Sequence, residues 1–320
     1  MRETFPTLQL YVTERAGSVI AKSLGDWRGQ AVPVVAAPRL RYPPGMISRP
    51  ISDRFRVQAE RLRGGRAEPD LVEVALLLAS EVVDDVDEAW VRAELDRLGV
   101  LAGAALSACA DDDARADALL QLLADQGFRG NQGKYGDPRN SLLHEVLARR
   151  TGIPITLSVV AIAVAARAGF TLHGVSFPAH FLVRTATNPP VLLDPFHGAR
   201  INEAECRRRA RAALGPEIPY HPNMLRIATP LEVALRMTRN LKHVFEAAND
   251  WLRAIDCCNR ILLLAPEIAS EWRDRGNLWV RLQYAEPAVA DFEKFLAFAP
   301  DAEQLERQIA RLRAHSTTVH

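Results

Sequence analysis

The chain has 320 residues, 48% of them hydrophobic and 25% charged, enough length and apolar content for two or three domains with their own cores. Forty basic residues against 39 acidic ones leave a formal net charge of +1, which gives no global reason to expect nucleic-acid or membrane binding. The four cysteines, Cys109, Cys206, Cys257 and Cys258, make no C-x-x-C spacing, so neither a disulfide framework nor a structural zinc is expected, and a reducing, cytoplasmic setting follows.

No segment reaches the roughly 20 apolar residues of a membrane helix. The longest such run, Ile153 to Ala166, is interrupted by Thr156 and Ser158. The first residues lack a basic-then-apolar secretory pattern.

Residues 1–50 are broken by Pro33, Pro38, Pro43, Pro44 and Pro50 and read as a loose extension. Residues 51–128 read as a helical subdomain. Pro69 stands at a first-turn position before Leu71, Val74, Ala75, Leu78 and Ala79 at helical spacing. A second helix follows Asp87. A third is capped by Asp111–Asp113, and Gly127 supplies a left-handed stop. The pair Gly133-Lys134 invites a phosphate-loop reading, which fails because the motif needs glycine at Phe128 and Ser or Thr at Tyr135.

Residues 129–222 form the next expected domain. Asp137-Pro138 begins a helix bearing Leu142, Leu143, Val146 and Leu147, which ends at Thr151-Gly152. Pro154 opens a helix that is apolar on nearly every face through Ala168, and such a helix is buried. Three strands are expected over Thr171–Phe177, His180–Thr185 and Val191–Phe196. A turn centred on residue 187 would set His180 opposite Asp194, and a one-residue slip would put them on opposite faces. Asn202 and Glu205 have capping-box spacing, and Arg207, Arg208, Arg209 and Arg211 read as a solvated face with no nucleic-acid role.

Residues 223–320 repeat. Pro266 and Pro300 are 34 residues apart, as are Ala254 and Ala288. Trp272, Gly276, Trp279, Ala288, Phe292 and Pro300 resemble the tetratricopeptide (TPR) pattern of small residues where paired helices touch and a proline after the second helix. Thr229-Pro230-x-Glu232 caps the preceding unit, and residues 301–314 read as a closing helix.

The paired segments A-R-R-T-G-I-P and A-A-R-A-G-F-T, the strand beginning His180-Phe-Leu-Val and the strand end Leu193-Asp194-Pro195 resemble the transglutaminase-like core, a papain-like architecture whose active members use Cys, His and Asp. Within that superfamily the segments F-R-G-N, Y-G-D-P-R-N-S, G-I-P-I-T-L-S, F-P-A-H-F-L-V-R and L-L-D-P-F-H-G resemble more closely the bacterial SirB family, whose members are described as regulators of sirC expression and join such a core to TPR helices. The resemblance implies an α+β fold with a helical N-terminal subdomain, a core with a short antiparallel sheet and a C-terminal TPR pair. It also implies His180 as base and Asp194 as orienting acid. In active members the cysteine opens the buried helix, two residues after one glycine and fifteen before the next. Counting from Gly152 and from Gly169 lands both times on Pro154, which carries no nucleophile.

Two functions stay open. One is a non-catalytic regulator or scaffold that binds a protein or peptide through its TPR surface and a pocket drawing on Asn140, Ser141, Thr156, His173 and His197. The other is an acyl-transfer or amide-hydrolysing enzyme with Ser158, Ser141 or Thr156 as nucleophile. No cofactor is implied. A metal site would need His173, His180, Asp194 and His197 together, and strand alternation sets the four against converging.

Overall fold

The computed structural model describes residues 49–65, 70–299 and 303–316. Nearly all of the extension, together with Pro69 and Pro300, lies outside those residues. The fold is mostly helical with one small antiparallel sheet. Among the described residues no helix is long and apolar enough to cross a membrane.

Helices α1 (Asp53–Gly64), α2 (Leu71–Val82), α3 (Glu88–Leu106) and α4 (Asp112–Asp125) come first. Each begins on a side chain that accepts an otherwise orphaned backbone N–H, with Ser52, Asp70, Asp87 and Asp111 as the caps. A two-residue parallel pair follows, β1 (Arg129–Gly130) with β2 (Thr151–Gly152), and between its strands lies α5 (Leu143–Arg149). The helix expected from Asp137-Pro138 is divided, because Pro138–Ser141 tighten into a 3-10 turn and the α-helix starts only at Leu143.

Helix α6 (Pro154–Arg167) packs on α3, α4 and α5 on one side and on strands β3 and β4 on the other. That sandwiching explains why its sequence is apolar all round. Its approach to α3 depends on Gly99, where an added Cβ would lie 2.4 Å from Cβ of Arg167.

The sheet runs β3 (His173–Val175), β4 (Leu182–Arg184), β5 (Leu192–Asp194) and β6 (Ala199–Ile201), each antiparallel to the next. The fourth strand is additional to the three expected, and those three are shorter than their apolar runs. Register differs from the expectation. Val183 faces Leu193 and Arg184 faces Leu192, so the turn centres one residue later and Phe196, not Asp194, falls in line with His180. Thr185 sets this turn: its N–H donates to the Val191 carbonyl at 3.1 Å and its hydroxyl accepts the Val191 N–H at 2.9 Å. His180 itself lies in the bend before β4. A slip of two residues keeps every side chain on its expected face.

Helix α7 (Glu203–Leu214) sets Cys206 and Ala210 against Val175, Phe177, Leu182 and Leu192 of the sheet. Asn202 caps it, accepting the Glu205 N–H at 2.9 Å. The reciprocal half of the capping box is not used, since the Glu205 carboxylate turns to Arg208 and Arg209.

Helices α8 (Pro230–Ala247), α9 (Trp251–Leu264), α10 (Ala269–Arg281), α11 (Ala285–Leu296) and α12 (Glu303–Ser316) complete the chain. The capping box at α8 is fully formed: Thr229 Oγ1 accepts the Glu232 N–H at 3.2 Å and the Glu232 carboxylate accepts the Thr229 N–H at 2.8 Å. Helices α10 and α11 pair as the TPR spacing implies. Phe292 and Ala288 are fully buried, and a Cβ on Gly276 would sit 2.5 Å from the Phe292 ring. Trp279 meets Tyr284 edge-on, and the Trp272 indole donates to the Pro266 carbonyl at 2.9 Å.

The described residues divide into two compact units that do not follow chain order. One comprises 86–135 and 139–233, with the sheet and α3 to α7. The other comprises 49–85, 136–138 and 234–316, so that α1 and α2 belong with the repeats.

Candidate functional site

Asp194 ends β5 and is fully buried. A carboxylate removed from water must find donors for its lone pairs, and this one has five. His180 Nε2 lies 2.9 Å from Oδ1, and the backbone N–H groups of Phe196 and His197 donate to the same oxygen at 3.2 and 3.3 Å. His197 Nδ1 and Arg209 Nη1 approach Oδ2 at 2.7 and 2.5 Å. Burial alone would raise the Asp194 pKa. The hydrogen bonds and charges of His180, Arg209 and His197 outweigh burial and hold the carboxyl well below its usual range. An ionised carboxylate only accepts, so His180 carries its Nε2 proton and His197 its Nδ1 proton at these contacts.

The expected His180–Asp194 pair is therefore formed, although the two residues are not directly opposed. A diagonal offset on one sheet face still falls within reach of a long side chain such as histidine.

Two further rings lie against the pair. His180 and His197 stack at 5.5 Å between centroids, and Phe196 meets their edges at 5.9 and 5.0 Å. Tyr135 packs edge-on to Phe196 at 6.3 Å. Phe196 also presses on β1, where a Cβ on Gly130 would lie 2.6 Å from both its ring and its carbonyl oxygen. Only glycine lets the strand pass there.

The loop that carries Tyr135 is held by Asn140, which is fully buried. Its amide nitrogen donates to the carbonyls of Lys134 and Tyr135 at 2.8 and 3.3 Å, and its oxygen accepts from Asn131 and Arg149, both at 3.1 Å. Asn140 thus spends its side chain on the loop. Ser141 is buried in the same 3-10 turn.

Pro154 is the first residue of α6 and is buried. Thr156 directs its hydroxyl to the Asn140 carbonyl at 2.7 Å and accepts the Ile153 N–H at 3.2 Å, which fastens the start of α6 to the turn before α5. Ser158 is fully buried, and its Oγ has no hydrogen-bond partner among the described residues. Its proton is therefore not held by His180. Cys206 is the cysteine nearest the sheet, but it is fully buried among apolar side chains. Burial pushes its thiol up to about 11, so it supplies no relocated thiolate.

His180, Asp194 and His197 each offer a ligand-capable atom within 4.8 Å of the others, and His173 on β3 stands outside that group. Of the four residues considered for a metal, three converge. The donor chemistry is that of an occupied carboxylate, because a cation at Asp194 would have to displace protons on both histidines and sit beside the Arg209 guanidinium.

Arg209 corrects the reading of Arg207–Arg209 as a uniformly solvated face. It bridges Glu205 and Asp194, while Arg207 and Arg208 pair with Glu203 and Glu205 at the surface. The signal was present in the spacing. Arg209 lies three residues after Cys206 and beside Ala210, at the edge of the buried stripe Cys206–Ala210–Leu214. Phe196, between Asp194 and His197, had no periodic signal of its own.

Comparison with known proteins finds two parts in succession along the chain. Residues 89–239 match the model of the transglutaminase-like superfamily, and residues 241–313 match the tetratricopeptide repeat model. A UPF0162 protein of Xylella fastidiosa is 40% identical over 185 residues, 56% of this chain and 66% of that protein, so the chain spans just under two thirds of that relative. A UPF0162 protein of Pseudomonas aeruginosa is 34% identical over 238 residues, 74% of this chain and 88% of that protein. Protein SirB1 of Salmonella typhimurium is 25% identical over 252 residues, 77% of this chain and 94% of that protein. With its transglutaminase-like core followed by TPR helices, the chain belongs to the UPF0162 family.

Proposed function

We propose that the protein is a non-catalytic regulator or scaffold of the cytoplasm, binding a protein or peptide through the remodelled cleft and the TPR helices. The observation that carries this reading is Pro154 at the head of α6, the place from which the resemblance to active thiol members would have a cysteine attack. The base and acid are kept without it, and Asp194 is saturated with donors that hold His180 and His197 in fixed orientations. Two imidazoles fixed by Asp194 beside the Phe196 ring suit recognition of a side chain, and an inherited site is a common starting point for a new binding role. The TPR helices support a partner in the same way, since stacked helix pairs present extended surfaces to other proteins.

A serine-reactive fluorophosphonate probe decides between this reading and a hydroxyl-based enzyme. A serine nucleophile needs a base within about 3.2 Å to take its proton. The expected result is no labelling of Ser158 or Ser141 above that of the His180→Ala variant. Labelling that vanishes in His180→Ala would make the chain a hydrolase or acyltransferase and end the binding reading of the cleft.

A further inference from the structure

A groove of about 390 Å³ opens on the second unit, lined by Arg49, Ile51, Arg56, Leu262, Leu263 and Arg275 among others. Among the described residues three guanidinium groups line it and no carboxylate does. Two of the three are held by hydrogen bonds to neighbouring residues. Arg275 grips Asp291 with two nitrogens at 2.6 and 2.8 Å and reaches Asn259 with the third at 2.7 Å. Arg49 donates through Nη2 to Asp84 at 2.7 Å and to the Ser80 carbonyl at 3.1 Å, and its backbone N–H donates to Asp256 at 2.8 Å. Its Nη1 is buried with no acceptor among the described residues. Arg56 stands exposed on α1.

A guanidinium on a groove wall offers an entering carboxylate charge-assisted hydrogen bonds, and Arg56, exposed on α1, is the most open of the three. Pro50, Ile51, Leu262 and Leu263 supply apolar lining, and Asn259 is the remaining polar side chain. The ligand such a surface fits is a carboxylate flanked by aliphatic side chains.

We infer that this groove binds an acidic, aliphatic-rich peptide segment of a partner protein, with carboxylates on Arg49 and Arg56 and an aliphatic side chain against Leu263. The inference deepens the partner-binding reading of the TPR helices and rests on it. The chain's own first 48 residues are a poor occupant, because they hold six basic residues against three acidic ones, a net charge of +3 facing a basic groove. Arginine suits this role better than lysine because its planar fork meets a carboxylate with two parallel bonds.

The test uses the full chain and a fluorescein-labelled Leu-Glu-Leu-Glu-Leu-Glu peptide read by fluorescence anisotropy. Saturable binding that weakens with salt is expected, reduced at least about tenfold by Arg56→Glu. Arg61→Glu, on the same helix but outside the groove lining, leaves it within about twofold. Leu263→Glu, which places a carboxylate among the arginines, lowers the affinity as Arg56→Glu does. No anisotropy change up to about 1 mM protein overturns the inference. Equal binding by Arg56→Glu, or by a peptide with lysine for glutamate, overturns it too. Two findings would give the groove to another occupant and overturn it as well: a self-association that Arg56→Glu abolishes in sedimentation, or tight peptide binding only after residues 1–45 are removed. None of these outcomes touches the cleft, which the fluorophosphonate probe decides separately.

Discussion

At the scale of single residues the molecule is organised around one carboxylate. Asp194 is fully buried and ionised, and Arg209 carries the fixed charge that balances it. Truncation by Asp194→Ala leaves that guanidinium and two imidazole N–H groups without their acceptor, so a loss of about 3–5 kcal/mol is expected in urea denaturation. The pH dependence has a definite sign. An unfolded aspartate titrates near about 3.9, and the folded carboxyl titrates lower, so the unfolded chain takes up the proton first as the pH falls. The stability contributed by Asp194 is complete above about pH 5 and drains away as the pH drops below about 4. Asp194→Asn should therefore be less stable than the parent at pH 6, with a smaller gap between the two at pH 3.5. An unchanged gap across that range would show that Asp194 is not held ionised by its neighbours. His180 and Asp194 were legible as partners because both residue types and their strand-like settings stand in the sequence. For Arg209 the helical spacing marked only the edge of a buried stripe; its partner, 15 residues away across a turn and a strand, was not legible because no local pattern states that register.

At the scale of elements, the glycines show where backbone approach decides packing. Gly276 faces Phe292 across the α10–α11 pair, and Phe292 is fully buried, so its ring has little room to retreat. Gly276→Val should cost about 1–3 kcal/mol by overpacking, read as a lower denaturation midpoint, whereas Gly133→Ala meets no atom within 4 Å and should not have this effect. Equal midpoints for Gly276→Val and the parent would mean that the two helices are not in this close contact. The 34-residue spacing made this pair visible in advance, since a repeat writes its helix contacts at fixed intervals. The sheet was less legible. Its strands are only three residues long, and the apolar runs that suggested them extend into bends on either side. Hydrophobic alternation marks which face is buried, but Thr185 places the turn by a side-chain hydrogen bond that periodicity does not encode.

At the scale of the whole chain, sequence order is a poor guide to what belongs together. Helix α2 reads locally as one more member of an N-terminal helical run, yet its Glu81 pairs with Arg260 of α9, 179 residues on, at 2.8 Å. Both side chains are only 3% exposed. Nothing in either segment announces the other, because each charge is explained only by the opposite charge that tertiary structure delivers. Such a pair adds little net stability over an apolar replacement, but breaking one side strands a buried ion. Glu81→Ala should therefore destabilise the second unit by about 3–5 kcal/mol, while Glu81→Leu combined with Arg260→Met should recover most of that loss. Guanidinium unfolding followed by the fluorescence of Trp251, Trp272 and Trp279, all in this unit, measures both. A Glu81→Ala protein as stable as the parent would detach α2 from the repeats. A double variant as unstable as the single one would instead mean that the pair itself, with the Ser52 N–H that Glu81 also accepts, contributes stability that apolar side chains do not replace.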